Sequence, residues 1–264
     1  MRQPIAMIPY TNMAPYRALG APDGCCFVSC VPAQSVHAIK AGEVTTAAVP
    51  VGAMDYVAGE VEPLGPFGIG ARERSMSVLF FSNRPFYEMG ATSRIRVTEE
   101  SASSVRLLFM LLESRNGPDH LPHIAGPRDS IDGELLIGDT ALKKVNQLRD
   151  PHGYPYITDL ASEWYRSRGL PIVFARWVVR KDAPSIIRSA LDRWLGEFKK
   201  REHELVEHAV PPSAAQLGVP EHYIREYFRV IRRVLDKTDL AGQAAFFSEL
   251  ERFQKRCRLG LTSN

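Results

Sequence analysis

Short apolar runs of strand length alternate with helical patterns along this chain, and this alternation is what most restricts its fold. Residues 45–51 form an apolar, alanine-rich run typical of a strand that is buried on both faces. Residues 101–113, in contrast, carry apolar side chains at helical spacing. A chain of 264 residues is long enough for one large domain or two lobes of ordinary size. We therefore expect an α/β fold.

Two predicted strands divide the chain into two parts. Residues 77–82 and 172–179 bracket a middle block that contains its own strands and helices. This layout is typical of a two-lobed binding fold that closes about a hinge. We expect lobe one to be formed by residues 1–84 and 173–264, and lobe two by residues 85–172. Ligands of such folds bind between the lobes, at the carboxyl ends of strands.

Two further segments have clear local patterns. The run 65–70 is rich in glycine and predicts a turn that leads into a loop at 71–76. The last eighty or so residues carry helical patterns, and we expect helices over 184–207, about 213–235, and 239–257.

Composition excludes several classes of protein. Hydrophobic residues make up 45% of the chain and charged residues 24%, which is typical of a globular protein. The net charge of +3 and the lack of a long basic run argue against nucleic-acid binding. No apolar stretch approaches the roughly 20 residues of a membrane span. The apolar N-terminal run is too short for a secretion signal, so we expect a cytoplasmic protein.

The sequence gives no positive sign of a metal or cofactor. Cys25, Cys26 and Cys30 lie close enough together to be metal ligands, but their spacing matches no zinc pattern and no histidine pair is near. We expect ordinary reduced cysteines. Glycine-rich nucleotide motifs and the Gly-x-Ser-x-Gly nucleophile motif are also absent. No cofactor is therefore expected.

The motif Tyr10-x-Asn12-x-x-Pro15 directly follows the first predicted strand. An asparagine side chain offers a donor and an acceptor in one rigid group, and strand ends are where ligands bind in open α/β sheets. Asn12 is therefore a candidate ligand-binding residue. The alternative is that Asn12 only caps the helix that follows.

Three serines lie within four residues at the start of the helix predicted over 101–113. They are Ser101, Ser103 and Ser104. Free backbone N–H groups and serine hydroxyls at a helix start can together hold a carboxylate. Plain capping of the helix by one serine is the alternative.

Ser75 and Ser77 lie at the entry to the strand 77–82, just after Arg72 and Arg74. A serine hydroxyl here could bind a ligand in the cleft, and an arginine could pair with its carboxylate. The alternative for the arginines is a solvated basic loop.

Asp139 and Thr140 follow the strand predicted over residues 134–137. Asp139 could reach the cleft from this strand end. It could instead cap the helix that begins there.

Several motifs together resemble those of a known family. They are Tyr10-x-Asn12-x-x-Pro15, Ser77–Ser82, Glu100–Val105, Ile137–Leu142, Asp159–Tyr165 with Gly169–Ala175, and the tail around Tyr223–Ile231 and Phe246-Phe247. The chain resembles the chorismate dehydratases of the futalosine pathway of menaquinone biosynthesis over nearly its whole length. The resemblance implies a type II periplasmic-binding-protein fold with a helical C-terminal tail and no metal or organic cofactor.

The resemblance also implies an activity and a set of site residues. The activity is removal of water from chorismate to give 3-[(1-carboxyvinyl)oxy]benzoate, with Asn12 as the residue tied to catalysis. A substrate carboxylate would serve as the base. The expected substrate-binding residues are Tyr10, Ser77, Ser101, Ser103, Ser104, Asp139 and Thr140. A small carboxylate is the expected partner, and the sequence does not indicate an oligomeric state.

Departures from the family pattern leave two other functions open. Thr45 stands where an aspartate is usual, Gly68 replaces a cysteine, the stretch 65–76 differs most, and Arg233 stands where a tyrosine is common. One alternative is a non-catalytic protein of the same fold that binds a small carboxylate or aromatic acid. The other is the sister dihydroxynaphthoate synthase, although no histidine is well placed as its base.

Overall fold

The computed structural model describes residues 2–100, 102–147 and 154–256. The strands are β1 (Gln3–Met7), β2 (Cys25–Ser29), β3 (Thr46–Pro50), β4 (Val61–Ala71), β5 (Val78–Ser82), β6 (Arg94–Arg96), β7 (His123–Ile124), β8 (Gly133–Ile137), β9 (Tyr156–Asp159), β10 (Ile172–Arg180) and β11 (Ile231–Val234). The α-helices are α1 (Ala14–Ala18), α2 (Pro32–Ala41), α3 (Met54–Val57), α4 (Ala102–Asn116), α5 (Gly138–Gln147), α6 (Leu160–Arg168), α7 (Ser185–Leu217), α8 (Glu221–Val230) and α9 (Lys237–Arg256). Short 3-10 helices cover Thr11–Met13, Val51–Ala53, Phe86–Glu88 and Pro118–His120.

These strands form two mixed sheets. The first has six strands in the order β11-β4-β10-β3-β1-β2, and the second has five in the order β7-β6-β8-β5-β9. The chain passes from the first sheet to the second between β4 and β5, and returns between α6 and β10. The predicted α/β architecture with two crossings is thereby confirmed. The exact lobe boundaries stay a prediction, and β5 belongs to the second sheet.

Each sheet has its own hydrophobic core. The first core contains Trp177 and Trp194 with the apolar side of α7, and the second contains Trp164 with the apolar residues of α4. Helix α4 has ten buried residues over its length, so it packs on most of its sides rather than on one. It contacts the 3-10 helix Val51–Ala53, α6 and α9, which places its start where the two sheets approach each other.

The prediction of a turn at 65–70 is wrong, because these residues belong to the long strand β4. Their glycines serve close packing. A Cβ atom on Gly68 would lie 2.3 Å from the Ala175 carbonyl oxygen of β10, and one on Gly70 would lie 3.0 Å from that of Ile172. Glycine in a strand interior often marks such a close approach of two backbones.

The prediction of a single helix over 213–235 is also wrong. Gly218, at a φ of 69°, ends α7, and a second helix and a strand follow. In β11, Ile231 and Arg233 are buried while their neighbours are only partly buried, so the side chains alternate with a period of two. Ile231 pairs with Ala71, which adds β11 to the edge of the first sheet.

Helix α7 continues ten residues beyond the predicted end at residue 207, through Pro211 and Pro212. A proline inside a helix removes a backbone donor and leaves a carbonyl without its usual partner. Both prolines are exposed, so water can reach the carbonyls that they leave unpaired. Within the part of the chain that the structure describes, no helix is both long and apolar enough to cross a membrane.

Candidate functional site

Strand directions bring the candidate residues to two facing sheet edges. In the first sheet, β1 runs parallel to β3, so the turn after Met7 and the turn after Pro50 share one edge. The second sheet pairs Val78 with Ile137, and Leu79 with Asp159, so the segments around Ser77 and Gly138 share an edge there. Contacts between residues 10–12 and residues 138–139 join the two edges.

Tyr10 lies between the two sheets. Its hydroxyl donates a hydrogen bond to the Glu100 carboxylate, just before α4. Its ring packs against Gly138, where a Cβ atom would lie 2.8 Å from Tyr10 Cδ2. Burial, followed by the bond to Glu100, raises the pKa of Tyr10 well above its ordinary value, so the phenol keeps its proton. Tyr10 therefore bridges the sheets as a hydrogen-bond donor.

Asp139 makes a hydrogen bond between the two sheet edges. Its Oδ1 accepts a hydrogen bond of 2.8 Å from the backbone N–H of Thr11, at the start of the 3-10 helix Thr11–Met13. The carboxylate thus occupies the position where an anion is favoured at that helix start. This hydrogen bond joins the two sheet edges, and the role of Asp139 in ligand binding stays a prediction.

Asn12 is partly buried and does not cap a helix. The structure records no side-chain capping bond at the start of either Thr11–Met13 or α1. The Asn12 side-chain oxygen is buried and has no hydrogen-bond partner in the described residues, and neither has the Thr11 hydroxyl. Leaving such an atom unpaired costs about 1–3 kcal/mol. A group from a ligand is the natural partner for a buried acceptor at a strand end.

Ser77 lies on the second sheet's edge and contacts the C-terminal part of the chain. Its Oγ accepts a hydrogen bond of 3.1 Å from the Tyr227 hydroxyl, and its carbonyl accepts one of 2.8 Å from Gly138 N–H. Both side chains are buried. Burial raises the pKa of Tyr227, which keeps its hydroxyl as the donor of this pair.

The serines at the start of α4 are placed differently from one another. Ser101 lies outside the described residues. The Ser103 hydroxyl accepts from Gly52 N–H at 2.8 Å and donates to the Phe174 carbonyl at 3.0 Å. Ser104 is buried. To hold a carboxylate, Ser103 would therefore have to release the Phe174 carbonyl.

Ser75 and its neighbouring arginines have partners within the protein. The Ser75 hydroxyl donates to Asp159 at 3.0 Å. Arg72 pairs with Asp236 and Arg74 with Glu226 at the surface. These side chains therefore hold the crossing between the sheets. Thr140 is exposed on the first turn of α5.

Sequence reasoning missed Asp159, which fixes the crossing from the first sheet to the second. Its Oδ2 accepts from Ser75 N–H at 2.9 Å and from Met76 N–H at 2.7 Å. Met76 has a φ of 59°, the left-handed region that a methionine rarely adopts. Burial raises the pKa of Asp159, and these hydrogen bonds oppose that rise. Asp159 thereby sets the direction in which Ser77 leaves the turn.

Arg233 and Tyr227 come to the site from the C-terminal segment. The Arg233 Nε donates to the Asn12 carbonyl at 3.2 Å, and Tyr227 donates to Ser77. Arg233 stands out in the sequence as a departure from a family pattern, and Tyr227 lies in the tail motif Tyr223–Ile231 without being distinguished from its neighbours. No sequence pattern locates either one, because their position depends on where β11 joins the sheet.

The described part of the chain contains no group of three histidine, cysteine or acidic residues that could hold a metal ion. Cys25, Cys26 and Cys30 are free thiols, and burial raises the pKa of Cys25 and Cys30. The site around Asn12 is instead built from amide, hydroxyl, carboxyl and guanidinium groups. Such groups can bind and orient a small polar molecule.

Sequence comparison finds related proteins along almost the whole chain. The sequence pattern of a family described as menaquinone biosynthesis matches residues 4–252. A chorismate dehydratase of Thermus thermophilus is 29% identical over 258 residues, covering 91% of this chain and 92% of the relative.

Structure comparison gives the fold. A crystal structure from Archaeoglobus fulgidus has a TM-score of 0.69 at 13% identity and covers 96% of this chain and 98% of its own. A Candida albicans protein described as having the generic periplasmic binding protein fold has a TM-score of 0.57 at 12% identity, covering 97% and 94%. The alkanesulfonate-binding protein SsuA of Xanthomonas axonopodis has a TM-score of 0.59 at 12% identity, covering 97% of this chain and 94% of its own. The predicted periplasmic-binding-protein-like fold is confirmed.

Proposed function

The chain belongs to the menaquinone biosynthesis family, and on that basis we propose that it is a chorismate dehydratase. The reaction converts chorismate to 3-[(1-carboxyvinyl)oxy]benzoate and water. In chorismate, the hydroxyl that leaves and the hydrogen that is removed lie on neighbouring ring carbons. Loss of both completes an aromatic ring, so the enzyme mainly has to bind and orient the substrate.

One observation carries this proposal, namely the cluster of unpaired polar atoms around Asn12. The Thr11 hydroxyl, the Asn12 side-chain oxygen and the Arg233 Nη2 are all buried and have no hydrogen-bond partner in the described residues. Two of these residues are adjacent in the chain, and Arg233 bonds the Asn12 carbonyl. We propose that Thr11 and Asn12 supply a hydroxyl and an acceptor to the substrate, and that Arg233 adds a positive charge beside the Asn12 backbone.

Asn12 is the proposed catalytic residue. Its amide can accept a hydrogen bond through Oδ1 and donate one through Nδ2, so it can hold the substrate hydroxyl as the C–O bond breaks. The leaving group then departs as water once it has gained the proton that the ring loses. A fixed amide of this kind stabilises developing charge without having to reorganise.

The carboxylates nearest to Asn12 already have protein partners. Glu100 accepts from the Tyr10 hydroxyl, and Asp139 accepts from Thr11 N–H. In both residues a hydrogen bond holds one carboxylate oxygen against the protein. This favours the substrate's own enolpyruvyl carboxylate as the base, which takes the ring proton and passes it to the departing hydroxide.

The same proposal assigns substrate binding to groups along the two edges. Ser77 and the serines of α4 are the proposed ligands of the carboxylates, with Tyr10 beside them. Asp139 positions Thr11 and so the backbone of Asn12. Thr140, on the exposed side of α5, would contact substrate at the cleft mouth.

Incubation of the purified protein with chorismate tests this function. We expect the diene absorbance to fall and a product 18 mass units lighter than chorismate to form, with the aromatic proton signals of a 1,3-substituted ring. The rate should scale with protein concentration. Asn83→Ala is a matched control, because Asn83 follows β5 at its far end and pairs with Asp132 at the surface.

Two results would replace the proposal. Thermal stabilisation by chorismate without any product, at high protein concentration, would make the protein a carboxylate-binding module of this fold. Conversion of cyclic dehypoxanthine futalosine, with chorismate untouched, would make it the sister dihydroxynaphthoate synthase.

We also propose a cytoplasmic location. The three free cysteines Cys25, Cys26 and Cys30 suit a reducing compartment. Measuring the protein's distribution between cytoplasmic and periplasmic fractions of its own cell checks this, and recovery in the periplasmic fraction would contradict it.

A further inference from the structure

Arg233 joins the segment 12–16 to the segment 228–233 beside Asn12. Its Nε donates to the Asn12 carbonyl at 3.2 Å, and its Nη1 donates to the carbonyls of Phe228 and Ile231 at 3.2 Å each. Its own carbonyl accepts from the Tyr16 hydroxyl at 3.1 Å. The Asn12 backbone is therefore fixed from below by a guanidinium group that is 1% exposed.

The positive charge of Arg233 is only loosely compensated. The nearest carboxylate is that of Glu202 in α7, 3.8 Å from Nη1 and with 31% of its side chain exposed. The Phe228 ring lies 5.0 Å from the guanidinium carbon. Burial lowers the pKa of Arg233, and Glu202 opposes this. Arginine nevertheless stays charged in proteins, so Arg233 places a positive charge beside the Asn12 backbone, in addition to the negative charge of Asp139 against Thr11 N–H.

A second buried arginine, Arg176, uses its donors differently from Arg233. Arg176 in β10 also lies inside the first sheet, with a pKa that burial lowers. All three of its nitrogens have partners, in the Phe67 and Gly65 carbonyls and the Gln243 side chain. In Arg233, Nη2 is buried without a partner. Arg106 also has a buried nitrogen without a partner, Nη1, but its side chain is 18% exposed whereas that of Arg233 is 1% exposed.

We propose that Arg233 is a positioning residue that fixes Asn12 through its backbone, and that its charge makes the cleft select substrates with two carboxylates over those with one. This rests on the proposed function, whose substrate is a dicarboxylate. A buried positive charge attracts a ligand with two negative charges more strongly than a ligand with one, and we expect roughly a tenfold difference in binding. The hydrogen bond to Asn12 and the charge are separate effects, so they can be separated by substitution.

Binding of two probes measures the charge effect without requiring turnover. The probes are benzoate, with one carboxylate, and isophthalate, with two at the 1 and 3 positions of the ring. We expect the wild-type protein to bind isophthalate about tenfold more tightly or better, measured by titration calorimetry. Arg233→Gln should remove this preference, whereas Arg233→Lys should keep most of it. Arg176→Gln, the matched control, should leave it unchanged.

Kinetics with chorismate separate the effect of the hydrogen bond to Asn12 from the effect of the charge. Arg233→Lys keeps the charge but cannot reproduce the fork of hydrogen bonds to the Asn12, Phe228 and Ile231 carbonyls. It should therefore lower kcat with little change in KM. Arg233→Gln should lower kcat and also raise KM. A merely structural arginine would give equal losses of active protein in both variants, with kcat and KM per folded molecule unchanged.

Glu202→Gln tests the same charge without disturbing the buried group. Glu202 is partly exposed, and its carboxylate lies 3.8 Å from Arg233 Nη1, which is too far for a hydrogen bond. The fold should therefore tolerate the change. Loss of the compensating charge should tighten isophthalate binding severalfold and leave benzoate binding less affected.

The inference would be overturned if folded Arg233→Gln kept the wild-type ratio of isophthalate affinity to benzoate affinity. If Arg233→Gln does not fold, the same result in Glu202→Gln would overturn it. So would a wild-type protein with no preference for isophthalate. Failure of the wild type to convert chorismate, with the preference intact, would instead overturn the proposed function alone.

Discussion

Gly138 shows how little space separates the two sheet edges at the site. It has a φ of 57°, and a Cβ atom there would lie 2.8 Å from the Tyr10 ring. Tyr10 in turn bonds Glu100, so the packing of one glycine helps to set the distance between the sheets. A side chain at this position would have to move Tyr10, which immediately precedes Thr11 and Asn12.

Gly138→Ala should lower both stability and activity. The left-handed backbone alone costs an alanine about 1–2 kcal/mol. Gly169→Ala is the matched control, because Gly169 has a φ of 66° but nothing within 4 Å of the added Cβ. We expect a larger loss in the free energy of unfolding for Gly138→Ala than for Gly169→Ala, measured in urea, because only the first must displace Tyr10, and we expect a reduced kcat/KM for chorismate only in Gly138→Ala. Equal kcat/KM values in the two variants would show that the Tyr10 contact does not matter.

Some residues of the site can be predicted from the sequence and others cannot. Asn12 and Asp139 follow strands directly, and strand ends are the expected place for ligand-binding groups. The structure brings both to one place. Tyr227 and Arg233 lie more than 200 residues from Asn12 in the chain and reach it only because β11 joins the sheet beside β4. A local pattern cannot report a contact that depends on long-range strand pairing.

At the scale of whole elements, strands and helices with strong periodicity were predicted correctly and ambiguous segments were not. Strand β5 and helix α4 lie close to their predicted ranges. Residues 65–70 of β4 resemble a turn in the sequence, since glycine for close packing and glycine for a turn look the same there. Strand β11 has only four residues between two helices, too few for its period of two to stand out.

Pro211 and Pro212 lie inside helix α7 and are exposed, so replacing them should change the stability of the protein. Each proline removes a backbone hydrogen bond, at a cost of about 3 kcal/mol, partly offset by a stiffer unfolded chain. Pro211→Ala with Pro212→Ala should therefore raise the free energy of unfolding by about 1–3 kcal/mol. Pro220→Ala, outside the helix, should give no such gain. A loss of stability in the double variant would mean that α7 needs the bend.

For the whole molecule, the C-terminal helix joins the two halves. Strand β11 belongs to the first sheet, but α9 packs into the core of the second through Phe246, whose ring lies 6.1 Å from that of Trp164. Arg168 makes two hydrogen bonds to Glu249 on the outside of the same contact. Tyr10 and Thr11 bond across the facing edges as well. Such links should make the two halves unfold together.

Phe246→Ala should test this cooperativity. Removing a fully buried phenylalanine should lower the free energy of unfolding by about 3–5 kcal/mol. Urea unfolding followed by circular dichroism and by tryptophan fluorescence should still coincide in one transition, since tryptophans lie in both cores. Phe247→Ala, at a partly buried neighbour, should cost less. Two separated transitions would show that the halves are independent.

Asn12 is the residue on which the proposed function depends most directly. In a single-turnover reaction with chorismate, Asn12→Ala should form aromatic product at least about a hundredfold more slowly than the wild type, the usual loss when one preorganised polar group is removed. Its unfolding midpoint and its affinity for isophthalate should stay close to the wild-type values, because the Asn12 side-chain oxygen has no partner within the described protein. Wild-type rates in a correctly folded Asn12→Ala protein would contradict the central claim.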